Sequence, residues 1–264
     1  MKFNSIPEVL EDLKNGRMVI VIDDEGRENE GDLIMAGAFT RPSDINFMAT
    51  HGRGLICVPM EGARLDELDL HPMSRKNPDP YKTGWAMSCD AKSGITTGIS
   101  AHDRARTINI LSDKRSKPAD LVTPGHVFPL RAHQGGVLVR AGHTEACVDL
   151  LKLAGLCPIG VICEIMKDDG AMARVSDLVS FSKQHDLKMC TIEALIEYRR
   201  RSERLISRIA QTGIPTEFGD FKAYVYESIV DRYHHLALVK GAPSKEGALV
   251  RVHSECLTGD VFGS

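Results

Sequence analysis

Residues 18–32 read Met-Val-Ile-Val-Ile-Asp-Asp-Glu-Gly-Arg-Glu-Asn-Glu-Gly-Asp. The first five residues are all apolar, a pattern typical of a central strand that is covered on both faces of a sheet. Six carboxylates then crowd around the single cation Arg27, and such like charges repel one another unless water or a divalent metal offsets the repulsion. The stretch predicts a buried strand that runs into either a solvated turn or an acidic active-site loop.

The position of the acidic loop favours the second interpretation. Arg27 and the glycines also suit an ordinary turn, so composition alone does not decide between the two. Ligands of open α/β sheets, however, tend to bind just beyond the ends of core strands. Glu28, Glu30 and Asp32 alternate along the chain, so an extended backbone points them to one side. Carboxylate oxygens on one side suit a hard cation such as Mg²⁺.

Helix-like and strand-like segments alternate over most of the chain, which favours an α+β fold in which helices cover a mixed sheet. Residues 71–93 interrupt this pattern as a long excursion with at most a short strand near 85–89, and loops of this length are often functional. The predicted helices are 5–14, 40–52, about 65–68, 100–111, 143–154, 175–185 and 191–211, and the predicted strands are 18–22, 33–38, 55–60, 137–139 and 159–165.

The character of the chain changes near Thr212-Gly213-Ile214-Pro215. Strand-like runs follow at 224–230, 236–239 and 248–252, with no helical period between them. We predict a first domain over 1–205 and an incomplete, β-rich second domain over 206–264. A hairpin extension of the first domain is the alternative.

The composition excludes several functional classes. The net charge of −3 and the isoelectric point near 6.4 give no reason to expect a nucleic-acid surface. No apolar run approaches the roughly 20 residues of a membrane span, and the N-terminus lacks the apolar segment of a signal peptide. Seven cysteines without a C-x-x-C pair are typical of reduced core residues, so we expect a cytoplasmic protein.

A second stretch with chemical potential is Arg-Ala-Gly-His-Thr-Glu at 140–145, directly before a predicted helix. Free N–H groups at a helix start favour an anion, and an arginine can bind two of its oxygens. Simple capping of the helix is the alternative. Thr-Thr-Gly-Ile-Ser at 96–100 offers the same two interpretations.

Two further residues suit proton transfer. Pro124-Gly125 precedes His126 and predicts an exposed turn that displays the histidine, although a lone surface histidine is more often inert. Glu164 lies inside the apolar run 159–165, where burial would raise its pKa, and the alternative is a strand-end residue that alternation turns to solvent. Together, the five stretches predict a metal-assisted enzyme that acts on a small phosphorylated substrate.

These residues resemble the 3,4-dihydroxy-2-butanone 4-phosphate synthase family over about residues 5–205. Five motifs carry the resemblance: the acidic stretch 23–32, Thr-Thr-Gly-Ile-Ser-Ala at 96–101, Pro-Gly-His-Val-Phe-Pro-Leu-Arg at 124–131, Arg-Ala-Gly-His-Thr-Glu at 140–145, and Cys-Glu-Ile at 163–165. The tail is similar to the start of GTP cyclohydrolase II, through His-Leu-Ala-Leu-Val at 235–239 and Val-Arg-Val-His-Ser-Glu-Cys-Leu-Thr-Gly-Asp at 250–260.

The resemblance implies an activity, a cofactor and an assembly. The activity is conversion of D-ribulose 5-phosphate to formate and L-3,4-dihydroxy-2-butanone 4-phosphate in riboflavin biosynthesis, through an enediolate. The cofactor is Mg²⁺ or Mn²⁺, with two ions per site, and the fold is a three-layer α/β/α arrangement in a homodimer with active sites near the interface. A metal-dependent phosphosugar isomerase and a non-catalytic module that binds a phosphate ligand are the alternatives.

The resemblance also assigns roles to residues. Glu28 and His143 match the metal ligands. The residues implied in proton transfer are His126, Glu164, Glu30 and Asp32. The residues implied in substrate binding are Arg27, Glu28, Asp32, Thr97, Arg140, Ala141, Gly142, His143, Thr144 and Glu164.

For the tail, the resemblance implies a zinc site of three cysteines, of which Cys256 matches the first. The remaining two are not in the chain, so we expect no zinc site, no cyclohydrolase activity, and a fragment that is poorly ordered or rests on the first domain.

Overall fold

The fold is described from a computed structural model, which covers residues 3–244 and 246–264. The chain divides into two compact units, Met1–Leu205 and Ile206–Ser264, each of which is described by itself.

A seven-stranded mixed sheet forms the centre of the first unit. Its strands are β1 (Val19–Ile22), β2 (Gly31–Ala36), β3 (Cys57–Glu61), β4 (Cys89–Ala91), β5 (Leu121–Ala132), β6 (Gly160–Glu164) and β7 (Lys188–Thr191). Their order across the sheet is β4-β5-β3-β6-β2-β1-β7. The pairs β1·β7 and β3·β5 are parallel, and the remaining neighbours are antiparallel.

Helices cover both faces of this sheet. They are α1 (Ile6–Lys14), α2 (Pro42–Phe47), α3 (Gly62–Glu67), α4 (Ala101–Ser112), α5 (His143–Leu153), α6 (Val175–His185) and α7 (Ile192–Ser202). A π-helical turn, Met48–Gly52, continues α2. One apolar cluster joins α1, α5 and α7 to the sheet, and the other joins α2, α3, α4 and α6 to its opposite face. The predicted three-layer α+β fold is confirmed.

Strand β1 shows why the apolar run decides the fold. Ile20 and Ile22 pack into one apolar cluster and Val19 and Val21 into the other, and all four are buried. A strand between two helical layers has no solvent face, so all its side chains must be apolar. Among the described residues, no helix has both the length and the apolar character to cross a bilayer.

Four sequence predictions in the first unit are wrong. Residues 137–139 are not a strand, because Gly136–Leu138 forms a 3₁₀ turn. The helix predicted over 191–211 ends at Ser202, and the following residues pair in a sheet. The turn predicted around His126 is part of strand β5. The prediction failed because Pro124, Gly125 and Pro129 are residues that usually argue against a strand. The short strand β7 was not predicted.

The second unit is a three-stranded antiparallel sheet in the order β10-β9-β8. Its strands are β8 (Ile206–Thr216), β9 (Gly219–Ser228) and β10 (His234–Val239), and a short helix α8 (Leu257–Asp260) follows. The predicted strands at 224–230 and 236–239 correspond to β9 and β10. The strand predicted at 248–252 is absent from the described residues. Val250 and Val252 are exposed there and belong to no strand.

Candidate active site

Asp23, the first residue after β1, organises the acidic loop. Its Oδ1 accepts a hydrogen bond from the Glu30 amide (2.8 Å), and its Oδ2 accepts bonds from the Glu28 amide (3.1 Å) and from Arg27 Nη1 (2.8 Å). Such donors favour the ionised carboxylate and offset the crowding of charge. Asp23 is buried, whereas Asp24 and Glu25 are exposed. Sequence reasoning missed this role, although a carboxylate directly after a buried strand is a usable signal.

The loop brings its carboxylates to His143, the first residue of α5. Arg27 Nη1 lies 2.6 Å from Glu28 Oε2, and His143 Nδ1 lies 3.6 Å from the same oxygen. His143 Nδ1 is also 3.8 Å from Asp32 Oδ1. Ligand atoms of Asp23, Glu28 and His143 lie within 4.8 Å of one another, an arrangement that could hold a metal ion.

Two buried atoms at this point have no hydrogen-bond partner in the part of the chain that is described: His143 Nε2 and Asp32 Oδ1. Buried polar atoms are rarely left unpaired without a functional reason. The donor set of several carboxylate oxygens and one imidazole suits a hard divalent cation. The residues present therefore fit a magnesium-type site, and Glu28 and His143 belong to the cluster that could hold the ion.

The charges of the site are strongly coupled. Burial, together with the smaller effects of the Glu164, Glu28 and Glu30 carboxylates, raises the pKa of Asp32 to about 7 against the opposing effect of His143. Burial by itself would lower the pKa of His143, but Asp32, Glu28 and Asp23 raise it to about 9. Burial also favours a higher pKa for Glu28, yet His143 and Arg27 outweigh it and lower that pKa. For Glu30, burial and Glu28 raise the pKa. The site thus combines Glu28, whose pKa is lowered, with a buried Asp32, whose pKa is raised to about 7.

Strand pairing places Glu164 beside Asp32. The two residues are partners in the β2·β6 register, so their side chains lie on the same face of the sheet. Glu164 Oε2 accepts a hydrogen bond from the Leu55 amide at 2.8 Å. The chain passes so close here that a Cβ on Gly54 would lie 2.5 Å from Glu164 Oε2. The strand-end carboxylate is half-buried and faces the acidic loop rather than open solvent.

The N-terminus of α5 carries the second part of the site. Gly142 caps the helix, and His143 and Thr144 are buried behind it, whereas Ala141 is exposed. A Cβ on Gly142 would lie 3.0 Å from Arg27 Nη2 and closer still to the Arg140 guanidinium. Two arginines and free helix N–H groups thus surround one buried helix start, which is the chemistry of an oxyanion site.

Three further residues support this arrangement and were not predicted. Buried Glu145 binds Arg140 Nη1 through Oε2 at 2.5 Å and the His133 amide through Oε1 at 2.9 Å. Tyr81, in the predicted excursion, lies over Arg27 at 5.1 Å and donates its hydroxyl to the Arg27 carbonyl oxygen. Arg174 donates Nη1 to the carbonyl oxygens of Glu28 and Asn29. The contacts of Tyr81 and Arg174 span 54 and 146 residues, so no local pattern could indicate them.

His126 and Thr97 lie apart from this cluster. Strands β6 and β3 separate β2, which carries Asp32, from β5, which carries His126. Adjacent strands are about 4.8 Å apart, so three spacings separate the two residues by roughly 14 Å. Thr97 is exposed in the loop before α4, beside Gly98, which packs against His126. Most of the predicted site residues therefore lie together around His143. His126 lies elsewhere, beside residues 96–98, which we call the threonine loop.

Comparisons with known proteins find two families in succession along the chain. Residues 7–198 match the family model described as 3,4-dihydroxy-2-butanone 4-phosphate synthase, and residues 207–264 match that described as GTP cyclohydrolase II. The chain is 56% identical to the riboflavin biosynthesis protein RibBA of Aquifex aeolicus and 54% identical to that of Synechocystis, over 100% and 99% of its own length. It spans only 66% and 48% of those two proteins.

Solved structures show the same relationship. A two-domain 3,4-dihydroxy-2-butanone 4-phosphate synthase from A. baumannii is 49% identical and matches with a TM-score of 0.87, over 98% of this chain and 76% of that one. A synthase in complex with two magnesium ions is 43% identical and matches with a TM-score of 0.73, over 76% of this chain and 98% of that one. The family model alone covers well over half of the chain, and the chain belongs to the 3,4-dihydroxy-2-butanone 4-phosphate synthase family.

Proposed function

We propose that this chain converts D-ribulose 5-phosphate to formate and L-3,4-dihydroxy-2-butanone 4-phosphate, as a step of riboflavin biosynthesis in the cytoplasm. One observation carries the proposal: the Asp23–Glu28–His143 cluster stands beside two arginines at the buried start of α5. The cluster suits a cation and the arginines suit a phosphate. A sugar phosphate with adjacent oxygens can bind both at once.

The substrate would be held by two groups of residues. Arg140 and Arg27, with the amides of Gly142 to Thr144, bind the phosphate, and Ala141 supplies backbone only. Glu28, Asp32 and Glu164 face the sugar hydroxyls. Because Glu145 fixes Arg140, its guanidinium is held in place before the substrate arrives.

Glu28 and His143 would hold Mg²⁺ or Mn²⁺, two ions in all, with water and substrate oxygens completing the coordination. When bound, the ions supply positive charge against the oxygens of the enediolate. The remaining chemistry belongs to side chains. The buried Asp32 carboxylate can accept and return a proton, and Glu30 and Glu164 stand close enough to share this task.

We propose a homodimer with its active sites near the interface, because His126 cannot reach the cluster of its own chain across three strand spacings. His126 and Thr97 are both exposed, and Gly98, the residue after Thr97, packs against His126. A second copy can therefore bring His126 to the sugar, so that one site uses residues of two chains.

For the second unit we propose no cyclohydrolase activity in this chain. Residues 206–264 contain a single cysteine, the exposed Cys256. A zinc ion needs about four ligands, and one thiolate does not hold it. We expect GTP, incubated with the chain and Zn²⁺ and followed by chromatography, to remain unchanged.

Incubation with D-ribulose 5-phosphate and Mg²⁺, with formate and sugar phosphates measured together, separates the three candidate functions. The synthase releases formate in step with substrate loss. An isomerase consumes the substrate and releases no formate, and a binding module does neither. Absence of formate from a folded dimer would contradict the proposal.

A further inference from the structure

The β4·β5 pair contains a second constellation, built around Asp90 and His126. The pairing register shifts between Cys89, which faces Val127, and Asp90, which faces Val122. Residues 123–126 therefore bulge out of the ladder, and the amides of Gly125 and His126 donate to side chains, Ser88 Oγ and Asp90 Oδ1. Bulges of this kind often redirect a side chain next to a functional site.

Asp90 takes up the groups that the bulge releases. Its Oδ1 accepts the His126 amide at 2.9 Å, and its Oδ2 lies 2.7 Å from His126 Nδ1. Asp90 is only 5% exposed, whereas the His126 side chain is 42% exposed. One buried carboxylate thus fixes both the backbone and the ring of an outward-facing histidine.

The surrounding backbone fits this pair closely. A Cβ on Gly98, whose φ is +101°, would lie 2.5 Å from His126 Nδ1 and closer to Asp90 Oδ2. A Cβ on Gly125 would collide with the backbone of Cys89 and Asp90. Gly98 is itself held in place, because its amide donates to Asp103 Oδ2 at 3.0 Å. The backbone at Gly98 and Gly125 therefore packs directly against the Asp90–His126 pair and leaves no room for a side chain at either glycine.

We propose that Asp90 is a positioning residue that acts through His126. An ionised carboxylate only accepts hydrogen bonds, so it selects the tautomer with the proton on Nδ1. Nε2 is then left unprotonated and outward-facing, ready to take a proton from the sugar carbon or hydroxyl. The Asp90 charge also stabilises the imidazolium that forms when Nε2 accepts that proton.

This inference rests on the proposed function for its kinetic test, and a spectroscopic test is independent of turnover. In the full chain labelled with ¹⁵N-histidine, we expect His126 to show a protonated Nδ1 and an unprotonated Nε2. In the Asp90→Asn variant, the new side-chain amide at position 90 donates a hydrogen bond to His126 Nδ1, so the ring proton of His126 moves to Nε2. The inference fails if wild-type His126 is already protonated mainly on Nε2, whatever the enzyme does with ribulose 5-phosphate.

The kinetic test measures formate release. We expect Asp90→Asn to lower kcat about 100-fold or more with KM within threefold, because the base has the wrong tautomer. Asp90→Glu keeps an acceptor and should retain more activity than Asp90→Asn. Asp113→Asn is the matched control, since that carboxylate bonds Arg115 away from His126, and its kcat should be unchanged. A kcat for Asp90→Asn within threefold of wild type overturns the inference.

A double-mutant cycle separates positioning from a general structural role. In a His126→Ala background, replacing Asp90 with Asn should change the residual rate by less than threefold, because nothing remains for Asp90 to orient. An equal loss in both backgrounds overturns the inference. If Asp90→Asn does not fold, the ¹⁵N measurement on the wild-type chain decides the inference by itself, since a proton mainly on Nε2 overturns it.

Discussion

Glu28 and Asp23 show how two carboxylates of one loop differ in role. Asp23 has two amides and an arginine as hydrogen-bond partners, whereas Glu28 Oε2 faces Arg27 and His143. The family motif in the sequence implied a metal-binding role for Glu28. It did not predict Asp23, because that role depends on which loop amides turn inward, a property of the folded backbone.

Replacing Glu28 with Gln should weaken Mg²⁺ binding about tenfold or more, since a ligand charge is lost from a site of few ligands. Calorimetric titration of the metal without substrate measures this directly. Glu25→Gln is the control, because Glu25 is exposed on the same loop, and its affinity should match the wild type. Equal affinities for the Glu28 variant and the wild type would remove Glu28 from the metal site.

Gly54→Ala should damage the site through packing. The new methyl group would lie 2.5 Å from Glu164 Oε2 and 2.6 Å from the Glu164 carbonyl oxygen, so the strand end must shift. Overpacking of this kind should lower the free energy of unfolding by about 1–3 kcal/mol. Urea unfolding of the first unit measures the loss. Gly213→Ala is the control, since a methyl group there would meet no atom of the described residues within 4 Å. Unchanged stability and formate release in Gly54→Ala would contradict the close approach.

At the scale of elements, the outcome depended on the length and regularity of each pattern. Helix α5 was predicted nearly to its boundaries, because its apolar period is strong and Gly142 precedes it. Strand β5 was missed, because Pro124, Gly125 and Pro129 suggest a turn and the strand is maintained by long-range pairing with β3 and β4. The sequence predicted that His126 is exposed. The exposure comes from the bulge in β5, where the His126 amide bonds Asp90, 36 residues away in the chain.

Helix α4 and the threonine loop before it depend on Asp103. This carboxylate accepts bonds from the Thr96 hydroxyl, the Thr96 amide and the Gly98 amide. The Thr96 hydroxyl is the largest of the contributions that lower its pKa to about 2. Because the pKa of Asp103 is lower in the folded chain than its unfolded value of about 3.9, the ionised carboxylate stabilises the fold above about pH 4. This stabilisation is lost as the pH falls through the folded pKa.

Asp103→Asn should therefore lower the Tm at pH 7, and the difference from wild type should shrink progressively as the pH falls below about 4. Thermal unfolding at a series of pH values provides the comparison. Asp220→Asn, at an exposed position of the second unit, serves as the control. A difference in Tm that stays constant from pH 7 to pH 3 would show that Asp103 does not act through its charge.

At the scale of the molecule, the three-layer fold followed from the sequence, because a fully apolar strand requires a helical layer on each side. The sheet order did not follow, since it depends on crossovers that no local pattern records. The second unit holds three paired strands, of which the sequence predicted those that correspond to β9 and β10.

The proposed dimer predicts complementation between two inactive chains. Glu28→Gln and His126→Ala disable different halves of one composite site, so a hybrid dimer has one intact site. Random mixing makes half of the dimers hybrid, which should restore about one quarter of the wild-type rate. Sedimentation should give twice the 29.0 kDa chain mass. A mixture as inactive as its components, despite exchange of subunits, would contradict the shared site.

The most direct test of the account compares formate release by the wild-type chain and by Glu28→Gln, with D-ribulose 5-phosphate and saturating Mg²⁺. We expect the wild type to release one formate for each sugar phosphate consumed. Glu28→Gln, with an unchanged Tm, should release at least about 100-fold less. Formate release by the variant at the wild-type rate, or none by a folded wild-type dimer, would contradict the account.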